Sequence, residues 1–237
     1  MAHVIPFHGT LYNPATVGDV RQVVAPPYDI IDATLQKTLH DRHPNNVIRL
    51  ELGYEQPGDT TGDNKYLRAA GALKEWLKSG ALRRDDKPAI YYHTIEYQPP
   101  YSAPGTPTKV FKGFLSTVEL EEFGSGKIYP HENTRAAAKT DRFNLLEACR
   151  ANFSAIISLY SDPQNDVLTL IERSIASDKP RIDFQDDVGF RQRLWSVTDP
   201  AVLAKVVEIM HTKQLFIADA HHRYETALNY RRARRQQ

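Results

Sequence analysis

The chain has 237 residues, enough to bury a substantial core as one large domain or two small ones, and its 30 Lys and Arg balance its 29 Asp and Glu. Near-neutrality argues against a phosphate-backbone binder, and a single cysteine, Cys149, excludes an intrachain disulfide and fits a reducing compartment. No basic segment leads into an apolar signal core and no run reaches the roughly 18 apolar residues of a membrane span, so a cytoplasmic protein with no membrane partner is expected.

Val4–Tyr12 reads as an extended segment broken by Pro6 and Gly9, and Val20–Ala25 as a second short strand. Pro26 and Pro27 stiffen the backbone that presents Tyr28 and Asp29. Asp29 is either a ligand-facing acid or a turn or helix cap. Ile30–His40 has a helical face, with Asp32 or Thr34 near its start, and the alternation of Ile48 and Leu50 with Arg49 and Glu51 predicts a strand over Val47–Leu52. After a loop rich in Pro, Gly, Asp and Thr, Tyr66, Leu67, Ala69, Ala70, Leu73, Trp76 and Leu77 fall at helical spacings that end at Gly80, with Trp76 in the core.

Ala89–Tyr97 and Val110–Leu120 read as strands joined across a proline-rich hairpin connection. Next comes a chemical cluster: His131 could exchange a proton, Glu132 could act as a carboxylate base, and Arg135, Lys139 and Arg142 could meet phosphate groups on a helix running through Leu146. A salt-bridged helical surface has the same composition. Phe153–Tyr160 predicts a strand and Val167–Ile175 a helix, followed by edge-strand pieces at Ile182–Phe184 and Leu194–Val197. Thr198 or Asp199, with Pro200 at the first position, opens a helix to Met210.

The run QLFIADAHHRYETALNY, Gln214–Tyr230, turns from a short apolar strand to a helix at Asp219-Ala220-His221-His222-Arg223. First-turn amides there lack intrahelical partners and suit an anion; Arg223 adds planar donors, and the two histidines add imidazoles. A capped helix with surface histidines and a paired arginine is the alternative. Asp219, His221 and His222 also resemble a metal set, but neither HExxH nor a Cys/His set accompanies them, so no metal site is expected. Arg231, Arg232, Arg234 and Arg235 read as a solvated helical face rather than a nucleic-acid arm. Strands and helices alternate irregularly without repeats, which predicts an α+β fold.

Taken in order, VIPFHG, VVAPPYDII, His43-Pro44-Asn45-Asn46-Val47-Ile48-Arg49, YPHENT and FIADAHHRYETAL resemble the DUF1015 family across essentially the whole chain. Members of that family are usually longer, which implies that residues 1–237 are a single DUF1015-like domain from the N-terminal part of a longer protein. Their terminal motif usually reads D-G-H-H-R, whereas Ala220 stands at the glycine here; a positive φ at that position would strain alanine.

The family is distantly similar to ParB/sulfiredoxin-like proteins, among them free-serine kinases that use ADP as phosphoryl donor. That resemblance implies a mixed-sheet ParB/sulfiredoxin-like core with added strands and helices. It further implies a nucleotide-dependent phosphotransferase acting on a small hydroxyl-bearing metabolite such as free serine, with ADP or ATP and Mg²⁺ as cofactors. On this reading His221, His222 and Arg223 bind phosphate, while Asp219, Glu132, His131 and Asp29 supply catalytic groups. Tyr28, Arg135, Lys139 and Arg142 complete the pocket, and the partners are a small-molecule substrate and a nucleotide, not nucleic acid. The alternatives are a ParB-like nucleotide-binding regulatory module and a catalytically inactive structural module.

Overall fold

A computed structural model describes residues 2–103, 105–132 and 136–236, without the side chains of 136–138. In chain order the elements are β1 (Val4–Ile5), β2 (Thr10–Tyr12), α1 (Pro14–Val17), α2 (Ala33–Arg42), α3 (Ile48–Glu51), α4 (Lys65–Ser79), β3 (Leu82–Arg84), β4 (Ile90–Tyr97), β5 (Lys109–Leu115) and β6 (Thr117–Val118). There follow β7 (Ile128–Tyr129), α5 (Ala136–Cys149), β8 (Ile157–Leu159), α6 (Asp166–Ser174), β9 (Ile182–Gln185), β10 (Arg191–Val197), α7 (Pro200–Met210), β11 (Leu215–Asp219) and α8 (His221–Arg235). The fold is α+β, with several helices and sheets whose recorded strand pairs are antiparallel. Among the described residues no helix is long and apolar enough to cross a membrane.

Local chemistry sets the helix boundaries. The Asp32 carboxylate accepts from Leu35 N at the start of α2, and Asn64 accepts from Tyr66 N and Leu67 N at the start of α4, which stops at Gly80 with φ +77°. Asp199 caps α7 through Ala201 N and Val202 N, with Pro200 at the first turn.

Three local expectations are corrected. Within 47–52, Ile48–Glu51 form the helical turn α3 rather than a strand, because a four-residue alternation fits either period and the buried Asn46 side chain just before it decides between them. Asn46 is wholly buried: its side-chain oxygen accepts from Ile48 N at 3.0 Å, and its amide donates to Gln22 O and Val24 O at 2.8 and 3.0 Å. Those same bonds engage the Val20–Ala25 segment. It is a 3₁₀ turn at Val20–Gln22, capped by Asp19, instead of a strand. Finally β10 is interior, paired on both sides, while its neighbour β9 forms the sheet edge.

The chain divides into two compact units. The first takes its residues from the segment ending at Gly9, from Asp85–Glu119 and from Tyr160–Leu215. Its sheet runs β5-β4-β10-β9 with Trp195 opposite Tyr92, and helices α6 and α7 pack together, burying Val167, Ile171, Val206 and Met210. The second takes Thr10–Arg84, Leu120–Leu159 and the chain from Phe216. Here Val17, Val23, Leu50, Trp76, Ala81 and Leu82 form a core cluster, α5 packs on α4 and α8, and a small sheet runs β7-β11-β8. All the site residues described next belong to this second unit.

Candidate functional site

Strand β11 runs through buried Ile217 to the exposed Asp219, and α8 begins two residues later. Between them Ala220, 1 % exposed, takes φ +74° and ψ +40°. This left-handed conformation costs an L-residue about 1–2 kcal/mol, and it is the geometry glycine accepts freely. The Ala220 side chain offers no cap, but its carbonyl accepts from Arg223 N and Tyr224 N at 2.9 and 3.2 Å. The corner is thus closed by backbone bonds.

The tandem histidines diverge. His222 Nε2 is hydrogen-bonded to the Tyr28 hydroxyl at 2.7 Å, the ring edge meeting the tyrosine at 88°. Tyr28 lies in a 3₁₀ turn, Tyr28–Ile30, that Pro27 opens. Arg142 stacks over its ring at 4.1 Å, an attraction between a cation and the aromatic face. Burial raises the Tyr28 pKa, and the nearby Arg142 and Arg223 pull against that rise without cancelling it.

His221 faces the other way and is 1 % exposed. Its ring meets that of His131 edge-on at 4.4 Å, and its Nε2 accepts from the His131 backbone N–H at 3.2 Å. The His131 ring in turn faces the Ile217 carbonyl through Nδ1 at 2.7 Å. Since a carbonyl only accepts, Nδ1 carries the proton and Nε2 keeps a lone pair. Glu132, half exposed, brings Oε1 to 2.8 Å from His221 Nδ1. That approach is off the line of a hydrogen bond, and buried Nδ1 has no other partner among the described residues. His131, Glu132 and His221 therefore present three ligand atoms within 4.8 Å of one another, a set that could hold a metal ion.

Arg223 reaches back from the first turn of α8. It donates to Ala155 O at 2.5 Å and to Asp219 Oδ2 at 3.1 Å, and its buried Nε has no hydrogen-bond partner among the described residues. Lys139 pairs with Glu225 at 2.7 Å. Asp29 is exposed beside Tyr28, and Arg135 lies outside the described residues. Arg231 and Arg232 are both tied to Glu122, and Arg231 also reaches Leu120 O.

Beneath Tyr28 lies a buried ionic network. Arg142 donates to Glu51 Oε1 and Glu51 O, both at 3.0 Å, and to Asp141 at 2.6 Å; Ser154 Oγ donates to Glu51 Oε1 at 2.6 Å. Asp141 also accepts from Lys65 and the Tyr66 hydroxyl, each at 2.9 Å. Burial pushes the Asp141 carboxyl up, but Arg142, Lys65 and Tyr66 outweigh it and hold the carboxyl below its ordinary range. Burial lowers the Lys65 ammonium while Asp141 and Glu55 raise it more, to about 12. Beside this network the half-buried Cys149 thiol is pushed up to about 11, mostly by burial and secondarily by Glu51. Glu51, Arg142, Lys65 and Tyr66 line a shallow cleft with Leu50, Leu52, Gly53 and Leu145.

A family profile described as "Protein of unknown function (DUF1015)" matches residues 4–237. The chain belongs to the DUF1015 family. No curated protein and no solved structure matches it. In this DUF1015 member the candidate site draws residues from three separated stretches of the chain. Tyr28, Glu132, His131 and the DAHHR corner come together, whereas Glu51, Asp141, Lys65 and Ser154 join them unannounced by any motif.

Proposed function

We propose that the α8 corner of this DUF1015 protein is the site of a nucleotide-dependent phosphotransferase acting on a small hydroxyl-bearing metabolite, free serine being the first candidate. The observation that carries this reading is the joining of Tyr28 to His222 between two guanidinium groups, Arg142 and Arg223, beside the exposed carboxylate of Asp219. Cationic and hydrogen-bonding groups at a helix start suit phosphate oxygens, and a neighbouring carboxylate suits an acceptor hydroxyl.

The Arg223–Asp219 pair supports a division of labour. A phosphate of ADP or ATP, entering with its Mg²⁺, competes with Asp219 for Arg223, and the released carboxylate orients the acceptor hydroxyl and takes its proton. The acceptor oxygen then bonds to the terminal phosphorus as the bond to the nucleotide's bridging oxygen breaks. His222 and Tyr28 contact the transferred group, with Lys139 in reserve on α5; Glu132 is the second carboxylate within reach of the same helix start.

Calorimetric titration of the full chain with ADP, ATP and CTP, with and without Mg²⁺, tests the first step. Binding by one of them is expected, weakened about 10–100-fold by Arg223→Ala, the cost of a charge-assisted hydrogen bond. Mass analysis of a hydroxyl-metabolite pool incubated with that nucleotide then identifies the phosphorylated product. Absence of any nucleotide binding at millimolar concentration sinks the proposal.

A further inference from the structure

We propose that His131, Glu132 and His221 form a binding site for one divalent transition-metal ion, with zinc as the natural probe. Their ligand atoms lie within 4.8 Å of one another, and two imidazoles with one carboxylate are a donor set that suits Zn²⁺ while leaving a fourth position for water or substrate.

The surroundings of each ligand favour the ion. The bond from His131 Nδ1 to the Ile217 carbonyl fixes the ring and leaves Nε2 as its lone-pair nitrogen, the outer-shell arrangement that metal-ligating histidines adopt. His221 Nδ1 is the more telling atom. It is wholly buried, makes no hydrogen bond among the described residues, and sits 2.8 Å from a carboxylate oxygen that it does not address squarely. A buried polar atom left unsatisfied destabilises the fold, and coordination removes that cost. His131 and Glu132 are exposed, so the ion has a way in.

Coordination also makes a structural demand. With Nδ1 of His221 on the metal, the neutral ring carries its proton on Nε2, which now faces the His131 amide across 3.2 Å. That contact must open on metal uptake, so the His131 amide should shift and exchange faster in the loaded protein. The site does not depend on the phosphotransferase reading, and it draws on neither Tyr28 nor His222.

The full chain, stripped with a chelator and free of nucleotide, is titrated with zinc by calorimetry and with cobalt by visible absorption. One ion per chain is expected, with the intense visible bands of a low-coordinate cobalt centre. Losing an outer-shell partner typically costs about 10–100-fold in affinity, so loss of a ligand in His131→Ala or Glu132→Gln should cost more than about 100-fold. Both residues are exposed, and circular dichroism verifies that the variants fold. His222→Gln should bind zinc as the parent does. No one-to-one binding at micromolar zinc, or binding that survives in both ligand variants, overturns the proposal.

Discussion

At Ala220 a single methyl group sits where the backbone favours none. The strain of φ +74° on an L-residue is about 1–2 kcal/mol, and replacement by glycine relieves it while adding about 0.5–1 kcal/mol of unfolded-state freedom. Ala220→Gly is therefore expected to stabilise the protein by up to about 1 kcal/mol, read as a higher urea midpoint with an unchanged slope. A lower midpoint would show that the methyl's packing outweighs the strain. The sequence alone marked this position as a departure but carried no sign of φ.

Glu51 and Arg142 make the opposite case, since both are nearly buried and each holds the other. Arg142 keeps the Asp141 carboxylate when Glu51 is removed but loses a charged hydrogen bond in a buried site, so Glu51→Ala should destabilise by about 1.5–3 kcal/mol, measured by equilibrium denaturation. A loss below about 1 kcal/mol would mean that Asp141 and water satisfy Arg142 without Glu51. Asp141 adds a pH dependence. Its carboxyl titrates lower in the folded chain than in the unfolded one, so the stability it contributes is present above its ordinary value near 3.8 and is lost as pH falls through the lowered folded value. Asp141→Asn should flatten the acid limb of a stability-versus-pH curve, and an unchanged limb would assign acid sensitivity elsewhere.

Among elements, the long periodic ones were readable and the short ones were not. The apolar spacing from Tyr66 to Leu77 with Gly80 behind it, and Asp199-Pro200 before α7, carry both period and punctuation, and both helices form with the expected caps. In α3 four residues left the period undecided, and the side chain that settles it, Asn46, donates to two carbonyls more than twenty residues away. Glu51 lies in that same short turn, and its pairing with Arg142, 91 residues away, has no local signal. The His131–Glu132 and DAHHR motifs were legible as chemistry, but no spacing rule relates positions 90 residues apart. Asn64 offers a test at this scale. Asn64→Ala removes the acceptor for Tyr66 N and Leu67 N and should cost about 1 kcal/mol by denaturation, with no loss if solvent caps α4 as well.

Across the whole molecule, each compact unit is assembled from three separated stretches of chain. Neither unit can be excised as one continuous piece, and local signals name the elements without naming their unit. The consequence is sharpest at β11, the middle strand of β7-β11-β8 and the lead into α8. A chain ending at Gln214 loses that strand and the helix packed on α5, so it should fail to fold its second unit, seen as lost helical circular dichroism and aggregation on gel filtration.

Cys149, the sole thiol, offers a built-in clock for such opening events. Because burial keeps the sulfur protonated at neutral pH, iodoacetamide should modify the native chain far more slowly than the unfolded one. The alkylation rate across a denaturant series then reports how often the packing of α5 beside Tyr66 gives way, without any introduced label.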